Sequence, residues 1–216
     1  MELKVSLNSE KAKNQTNDYK TYYQYEKSKS REYSFYSLKC YGLIGNPKSG
    51  NWDLSYLLTG WQKLGNNKIT IDGKDVSSKD LRNISCYIGH EHYYDIKPLH
   101  KHKSIKKSIE SGIKKFRKDN MTFQDIKNKF ELSSERLNRR FKETGNEHWR
   151  ASLAIGYTYN KKIYCSPFLE CCLWEKYYSI MLEKWLNILK NEDSIIVIPT
   201  DNEECIHNLV DERYYF

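Results

Sequence analysis

Tyr41-Gly42-Leu43-Ile44-Gly45-Asn46-Pro47-Lys48-Ser49-Gly50-Asn51-Trp52-Asp53-Leu54 is the stretch on which the fold turns. A short apolar run ends at Gly45, four residues lead to Gly50, and Leu54, Leu57, Leu58 and Trp61 then recur at helical spacing. Strand, Gly-rich turn and helix follow one another as in a phosphate-binding loop, whose backbone N–H groups cradle phosphate oxygens. In a working loop the second glycine precedes a Lys that reaches the β- and γ-phosphates and a Ser or Thr that holds Mg²⁺. Asn51 and Trp52 stand at those two positions here. An amide brings no charge to a phosphate, and an indole brings no oxygen to magnesium. The sequence therefore predicts the backbone cradle of Gly45, Asn46, Pro47, Lys48, Ser49 and Gly50 without the groups that stabilise phosphoryl transfer.

The chain has 216 residues, enough for one sizeable core, with 18 Tyr and 5 Trp that mark it as folded rather than disordered. The N-terminus has no basic region followed by an apolar one, and no apolar run nears membrane-spanning length, which predicts a cytoplasmic chain. Six cysteines lack C-x2-C spacing and, without a secretion signal, read as buried free thiols. The formal charge is +8, and the segment Lys97–Lys118 alone carries nine Lys and Arg against the lone Glu110. Such a patch suits nucleic acid, anionic lipid or an acidic partner, or is a solvated helix face.

Residues 3–7 and 33–38 alternate apolar and polar, which predicts an antiparallel pair leading into a central strand at 40–44. Ile69-Thr70-Ile71 is bounded by Gly65-Asn66-Asn67 and Asp72-Gly73, both turn formers. The run from Leu81 to Ile88 reads as a further buried strand. The tyrosines between Asp18 and Tyr25 suit cross-strand packing or stacking on a flat ring.

Taken in order, these pieces resemble the nucleotide-binding domain of ABC transporters from about Cys40 to the C-terminus. Tyr41 to Leu54 is similar to the Walker A loop. Ile69-Thr70-Ile71-Asp72-Gly73-Lys74-Asp75 resembles the family's I-x-I-D-G-K-D strand, and Ile84 to Glu91 the strand into the Q-loop. Phe130 to Phe141 resembles the segment before the LSGGQ motif, which falls on Glu143-Thr144-Gly145-Asn146-Glu147, with Arg150-Ala151-Ser152-Leu153-Ala154 like the helix that follows. Ile163-Tyr164-Cys165-Ser166-Pro167 is similar to Walker B, Ile195 to Asp201 to the last core strand and H-loop, and Asp211 to Phe216 to the closing D-R-I-Y-F.

The resemblance implies an α/β fold of the P-loop NTPase kind: a single domain over 1–216, a mixed sheet with an antiparallel N-terminal edge, and a helical subdomain insertion at about 92–145. It also locates each departure from the family. The Q-loop Gln corresponds to His90, Walker B Asp and the catalytic Glu to Cys165 and Ser166, the H-loop His to Thr200, and the D-loop Asp lies near Leu173. Thr144 replaces the LSGGQ Ser conservatively and Gly145 keeps a glycine, while Asn146 replaces its second glycine. Neither a metal-ordering carboxylate nor a general base remains.

The resemblance thus implies a non-hydrolysing ATP-binding subunit with no catalytic residues of its own. It would have no high-affinity cofactor and would pair with a membrane permease and a competent ATPase subunit. Its place would be the inner face of the cell membrane, and the Lys97–Lys118 patch would contact the permease or anionic lipid. An active ATPase that binds ATP and Mg²⁺ with atypical residues is one alternative. A basic nucleic-acid-binding module is another, disfavoured because no nucleic-acid motif is present. His90-Glu91-His92 and His100-Lys101-His102 invite a metal, but no Cys or carboxylate set completes a site, so none is expected.

Overall fold

The computed structural model describes residues 1–8, 31–89, 103–116, 120–168 and 179–216. Strands β1 (Glu2–Leu7), β2 (Arg31–Tyr36), β4 (Lys68–Ile71) and β5 (Lys74–Asp75) form an antiparallel sheet in the order β2-β1-β4-β5. Strands β3 (Lys39–Ile44), β6 (Ser85–Tyr87), β7 (Ile163–Cys165), β8 (Ile195–Thr200) and β9 (Glu212–Tyr215) form a second sheet, ordered β6-β7-β8-β3-β9. Every neighbouring pair in it is parallel. The α/β class with an antiparallel N-terminal portion is as expected, the two strand types being divided between two sheets.

Alternation in β1 and β2 buries Leu3, Val5, Tyr33 and Phe35 on one face, in the register Leu3 opposite Phe35 and Val5 opposite Tyr33. The parallel strands are apolar on both faces because both are covered. Tyr41, Leu43, Ile195 and Val197 face a core shared with the antiparallel sheet and with helix α1 (Asn51–Leu58). Cys40, Ile44, Ile196 and Ile198 face the other core. That core includes residues of α3 (Ile105–Phe116), α4 (Phe123–Lys129), α5 (His148–Thr158) and α6 (Ser179–Lys190). Helix α5 is buried along nearly its whole length, from Trp149 to Thr158, and Gly156 lets it sit directly on the sheet. A Cβ there would come within 2.9 Å of Cys86 Sγ and 3.0 Å of Tyr164 Cε1.

Three expectations need correction. Leu81 to Ile84 is not strand but the end of helix α2 (Ser78–Ile84), and β6 begins only at Ser85. The cause is local: the Ser77 hydroxyl accepts from the Asp80 N–H at 3.2 Å while Asp80 Oδ2 accepts from the Ser77 N–H at 2.9 Å, a capping box. The second expected strand stops at Tyr36, because Leu38 takes a left-handed turn conformation (φ 68°). Third, the cysteines are not uniform. Cys40, Cys86 and Cys165 are buried free thiols, whereas Cys205 is disulfide-bonded. Linear spacing carries no information on that approach in space.

Helix α2 ends against an unusual cap. Lys161 is almost fully buried and its Nζ donates to Arg82 O at 2.9 Å and Asn83 O at 2.6 Å, satisfying two C-terminal carbonyls. Burial lowers its pKa to about 8.

Candidate functional site

Parallel strands place their C-terminal ends along one edge, and in open α/β sheets that edge is where ligands bind. Here the edge gathers the turn after β3, the ends of β7 and β8, and the end of β6. Residues 45–50 wrap from β3 into α1 as the sequence predicts, with Gly50 in a left-handed conformation (φ 96°) at the helix start. Gly45–Trp52, Cys165, Ser166 and Thr200 therefore come together, although up to 155 positions separate Gly45 from Thr200. The predicted Q-loop position His90, the His-x-His pairs, Cys171, Cys172, Leu173 and the Asp18–Tyr25 tyrosines lie outside the described residues.

Asn51 is fully buried and acts as a staple. Its two Nδ2 hydrogens are shared among three carbonyls, Leu43 O at 3.0 Å, Gly45 O at 2.9 Å and Thr200 O at 3.1 Å, joining the ends of β3 and β8 to the turn. Its Oδ1 accepts from the Trp52 N–H at 2.8 Å. Three of the turn's own amides are engaged as well. Gly45 N–H donates to Thr200 O, Ser49 N–H to Asn46 O, and Lys48 N–H to Asn46 Oδ1 at 2.9 Å. The Ser49 side chain folds back onto Gly45, occupying the space a Cβ there would need. Lys48 is exposed.

Trp52 turns its indole toward the end of β6, donating from Nε1 to the Tyr87 hydroxyl at 2.8 Å. Its ring lies 5.9 Å from Tyr56 and 6.0 Å from Phe168, and Tyr56 stacks on Tyr87 at 4.7 Å. Burial pushes the Tyr87 phenol up, so it stays neutral. Burial likewise pushes the Cys165 thiol up, keeping it protonated. Ser166 is fully buried and its hydroxyl has no hydrogen-bond partner among the described residues, while its N–H donates to Val197 O at 3.0 Å.

The one charged side chain in the first turn of α1 is Asp53, a carboxylate at the helix end where the dipole would otherwise favour an anion. Asn51 is neutral and fully engaged, and Cys165 is neutral. Among the described residues no group of three His, Cys, Asp or Glu side chains is placed to hold a metal.

Thr144 and Gly145 lie elsewhere, in the 3₁₀ turns Phe141–Glu143 and Gly145–Glu147 that lead into α5. Thr144 is buried and its Oγ1 donates to Phe141 O at 2.5 Å, while Arg136 donates to Thr144 O at 2.6 Å. Gly145 is exposed, with φ 55°. The turn is held from beneath by Glu147, a buried carboxylate that accepts from Ser133 N–H at 2.5 Å and Ser133 Oγ at 2.7 Å. Arg136 and Arg150 flank it at 3.8 and 3.5 Å. Reading by motif missed Asp53 and Glu147. The signals available were an acid in the third helical position after Gly50, and an acid three residues before Arg150.

No family model matches the sequence, and no curated protein matches it by sequence. Solved structures do. A putative ABC transporter ATP-binding protein from Pyrococcus furiosus superposes with a TM-score of 0.61 at 16% identity, covering 100% of this chain and 97% of that one. A nucleotide-free ATP-binding cassette from an ABC transporter gives 0.61 at 13% identity, over 100% of this chain and 88% of that one. The protein cbiO1 from Clostridium perfringens, part of the ABC transporter complex cbiONQ, gives 0.62 at 13% identity over 87% and 76%. By strand order, loop placement and these likenesses, the chain has the fold of an ABC transporter ATP-binding domain.

Proposed function

We propose that this chain is a non-hydrolysing ATP-binding-type subunit, which serves a membrane transporter as a structural or regulatory half. The observation that carries the reading is Asn51. The position that would hold an ammonium against phosphate holds an amide bonded to three carbonyls of its own chain. The neutral Cys165 and Ser166 and the acidic Asp53 support the same conclusion, since each removes or opposes a contact to phosphate or metal. Each lost charged contact is worth about 1.5–3 kcal/mol, so three or four together abolish useful nucleotide affinity.

A subunit without chemistry needs a partner that has it. The chain works beside a competent ATPase subunit, with exposed Gly145 rather than buried Thr144 turned toward that partner. A permease supplies the membrane passage, since no helix among the described residues is long and apolar enough to cross a membrane. The chain then sits at the inner membrane face, with the basic Lys97–Lys118 segment toward the permease or anionic lipid. Titration of the purified chain with a fluorescent ATP analogue and Mg²⁺ tests the central claim. The expected result is no saturable binding and no Mg²⁺-dependent phosphate release. Tight occupancy with ordinary turnover would overturn it in favour of an active enzyme.

A further inference from the structure

The two sheets treat their outer edges differently. The antiparallel sheet ends at β2, whose outward backbone groups are answered by tyrosine hydroxyls. Ser34 N–H donates to the Tyr214 hydroxyl at 3.4 Å, that hydroxyl donates to Ser34 O at 2.6 Å, and Tyr36 N–H donates to the Tyr41 hydroxyl at 2.6 Å. At its other end β5 is only Lys74 and Asp75, both charged and exposed. Such features keep a sheet edge from pairing with another chain. The parallel sheet ends at β9, and its edge has no such cap. Ile44 lies opposite Tyr215, and Phe216 N–H donates to Ile44 O at 2.8 Å. Every second residue of a strand bonds toward the same neighbour, so Glu212, Tyr214 and Phe216 face β3, while Arg213 and Tyr215 turn their N–H and C=O groups away from it. Among the described residues nothing bonds to those outward groups.

The side chains of the same two residues are held in place. Tyr214 and Phe216 pack into the core beneath the antiparallel sheet, so Arg213 and Tyr215 emerge on the other face. Glu203 fixes both: its Oε1 lies 3.0 Å from Arg213 Nε, and its Oε2 accepts from the Tyr215 hydroxyl at 2.8 Å. Arg213 also lies 3.1 Å from His207 Nδ1. Tyr215 is nonetheless 63% exposed, the most exposed large apolar side chain among the described residues.

We infer that β9 pairs antiparallel with β9 of a second copy of this chain, joining two parallel sheets edge to edge about a two-fold axis. Outward groups must meet outward groups, which leaves few registers. Arg213 opposite Arg213 of the second copy sets like charges against each other and is disfavoured. Arg213 opposite Tyr215 of the second copy, with Tyr214 at the axis, sets a guanidinium beside an aromatic ring and engages every free backbone group in two reciprocal pairs. Because the same patch serves both copies, this pairing closes both edges at once. One short strand buries little surface, so the dimer is weak and depends on concentration. The contact uses neither the turn after β3 nor the Gly145 corner, so it goes beyond the pairing proposed above and needs no nucleotide.

Sedimentation equilibrium of the full chain up to about 200 µM without nucleotide, joined to hydrogen exchange over residues 212–216, is the test. The wild type is expected to pass from monomer to dimer across the range, with exchange at the Arg213 and Tyr215 amides slowed several-fold at the top of it. Tyr215→Pro removes an outward N–H and no bond to β3, a position where an edge strand accepts proline. It should keep its denaturation midpoint and raise the dimer dissociation constant at least about tenfold. Tyr215→Phe keeps the ring and the N–H and should dimerise like the wild type. A wild type that stays monomeric throughout overturns the proposal, as does a folded proline variant that dimerises equally well. So does a dimer whose Arg213 and Tyr215 amides exchange at the monomer's rate, a reading that requires no variant to fold. Saturable binding of Mg²⁺-ATP would count against the function proposed above and leave the β9 result standing.

Discussion

The turn after β3 and the turn before α5 are the two places where the family resemblance implies contact with nucleotide, and they are held in opposite ways. The first is fixed by a neutral amide: Asn51 bonds to three backbone carbonyls and carries no charge. The second is fixed by a buried charge: Glu147 between Arg136 and Arg150, with Ser133 donating twice. A neutral staple satisfies its partners without desolvating an ion, whereas a buried carboxylate depends on every one of its donors. Both turns direct polar groups inward. They differ in what removing one atom would cost.

The largest effect is expected at Asn51. Asn51→Leu leaves three carbonyls at the sheet edge without this donor and should destabilise the chain by about 3–5 kcal/mol in chemical denaturation. Asn51→Lys should cost less, because an ammonium can donate to the same oxygens. It should still not confer ATP binding, since Asp53, Cys165 and Ser166 remain. A single substitution that restored saturable Mg²⁺-ATP binding would collapse the contrast between the two turns. At the second turn, Glu147→Gln keeps the shape and one acceptor but removes the charge facing two guanidinium groups. A loss of about 2–3 kcal/mol is expected. If it exceeded the loss at Asn51, the ionic turn would be the more critical of the two.

The smallest effect concerns pH. An unfolded cysteine loses its proton near 9.0, while burial holds Cys40, Cys86 and Cys165 protonated in the folded chain. The folded state then binds more protons, so stability falls as pH rises past about 9. Lys161 acts in the other direction. Its pKa is about 8 folded against 10.5 unfolded, so between those values the unfolded chain holds more protons and stability gains. Lys161→Met should therefore steepen the alkaline loss, measured as denaturation midpoints across that range.

What could be read from the sequence follows from how local each cause is. The turn at 45–50 and the hairpin at Asp72-Gly73 are set by adjacent glycines, and both form where expected. The capping box at Ser77 and Asp80 is equally local, yet the apolar run from Leu81 to Ile88 masked it and suggested a strand. The substitutions at Asn51 and Trp52 were visible, but not their partners. Thr200 O is 149 residues from Asn51, and Tyr87 is 35 residues from Trp52. Nor did the sequence indicate that Arg139 and Arg140 would adjoin α3, because one bridge at Ser104 makes that approach. Motif order conveyed the scaffold, while pairwise contacts across the sheet edge determined the chemistry.

Helix α5 ties these regions together. It begins at the turn that Glu147 secures, has almost no free surface, and rests through Gly156 on Cys86 and Tyr164 of adjacent strands. Close-packed interiors yield little, so such an element transmits displacement like a rod in a tight sleeve. A push on the exposed Gly145 corner would reach the β6–β7 edge of the parallel sheet with little slack, and the corner cannot rock unless those strands shift with it.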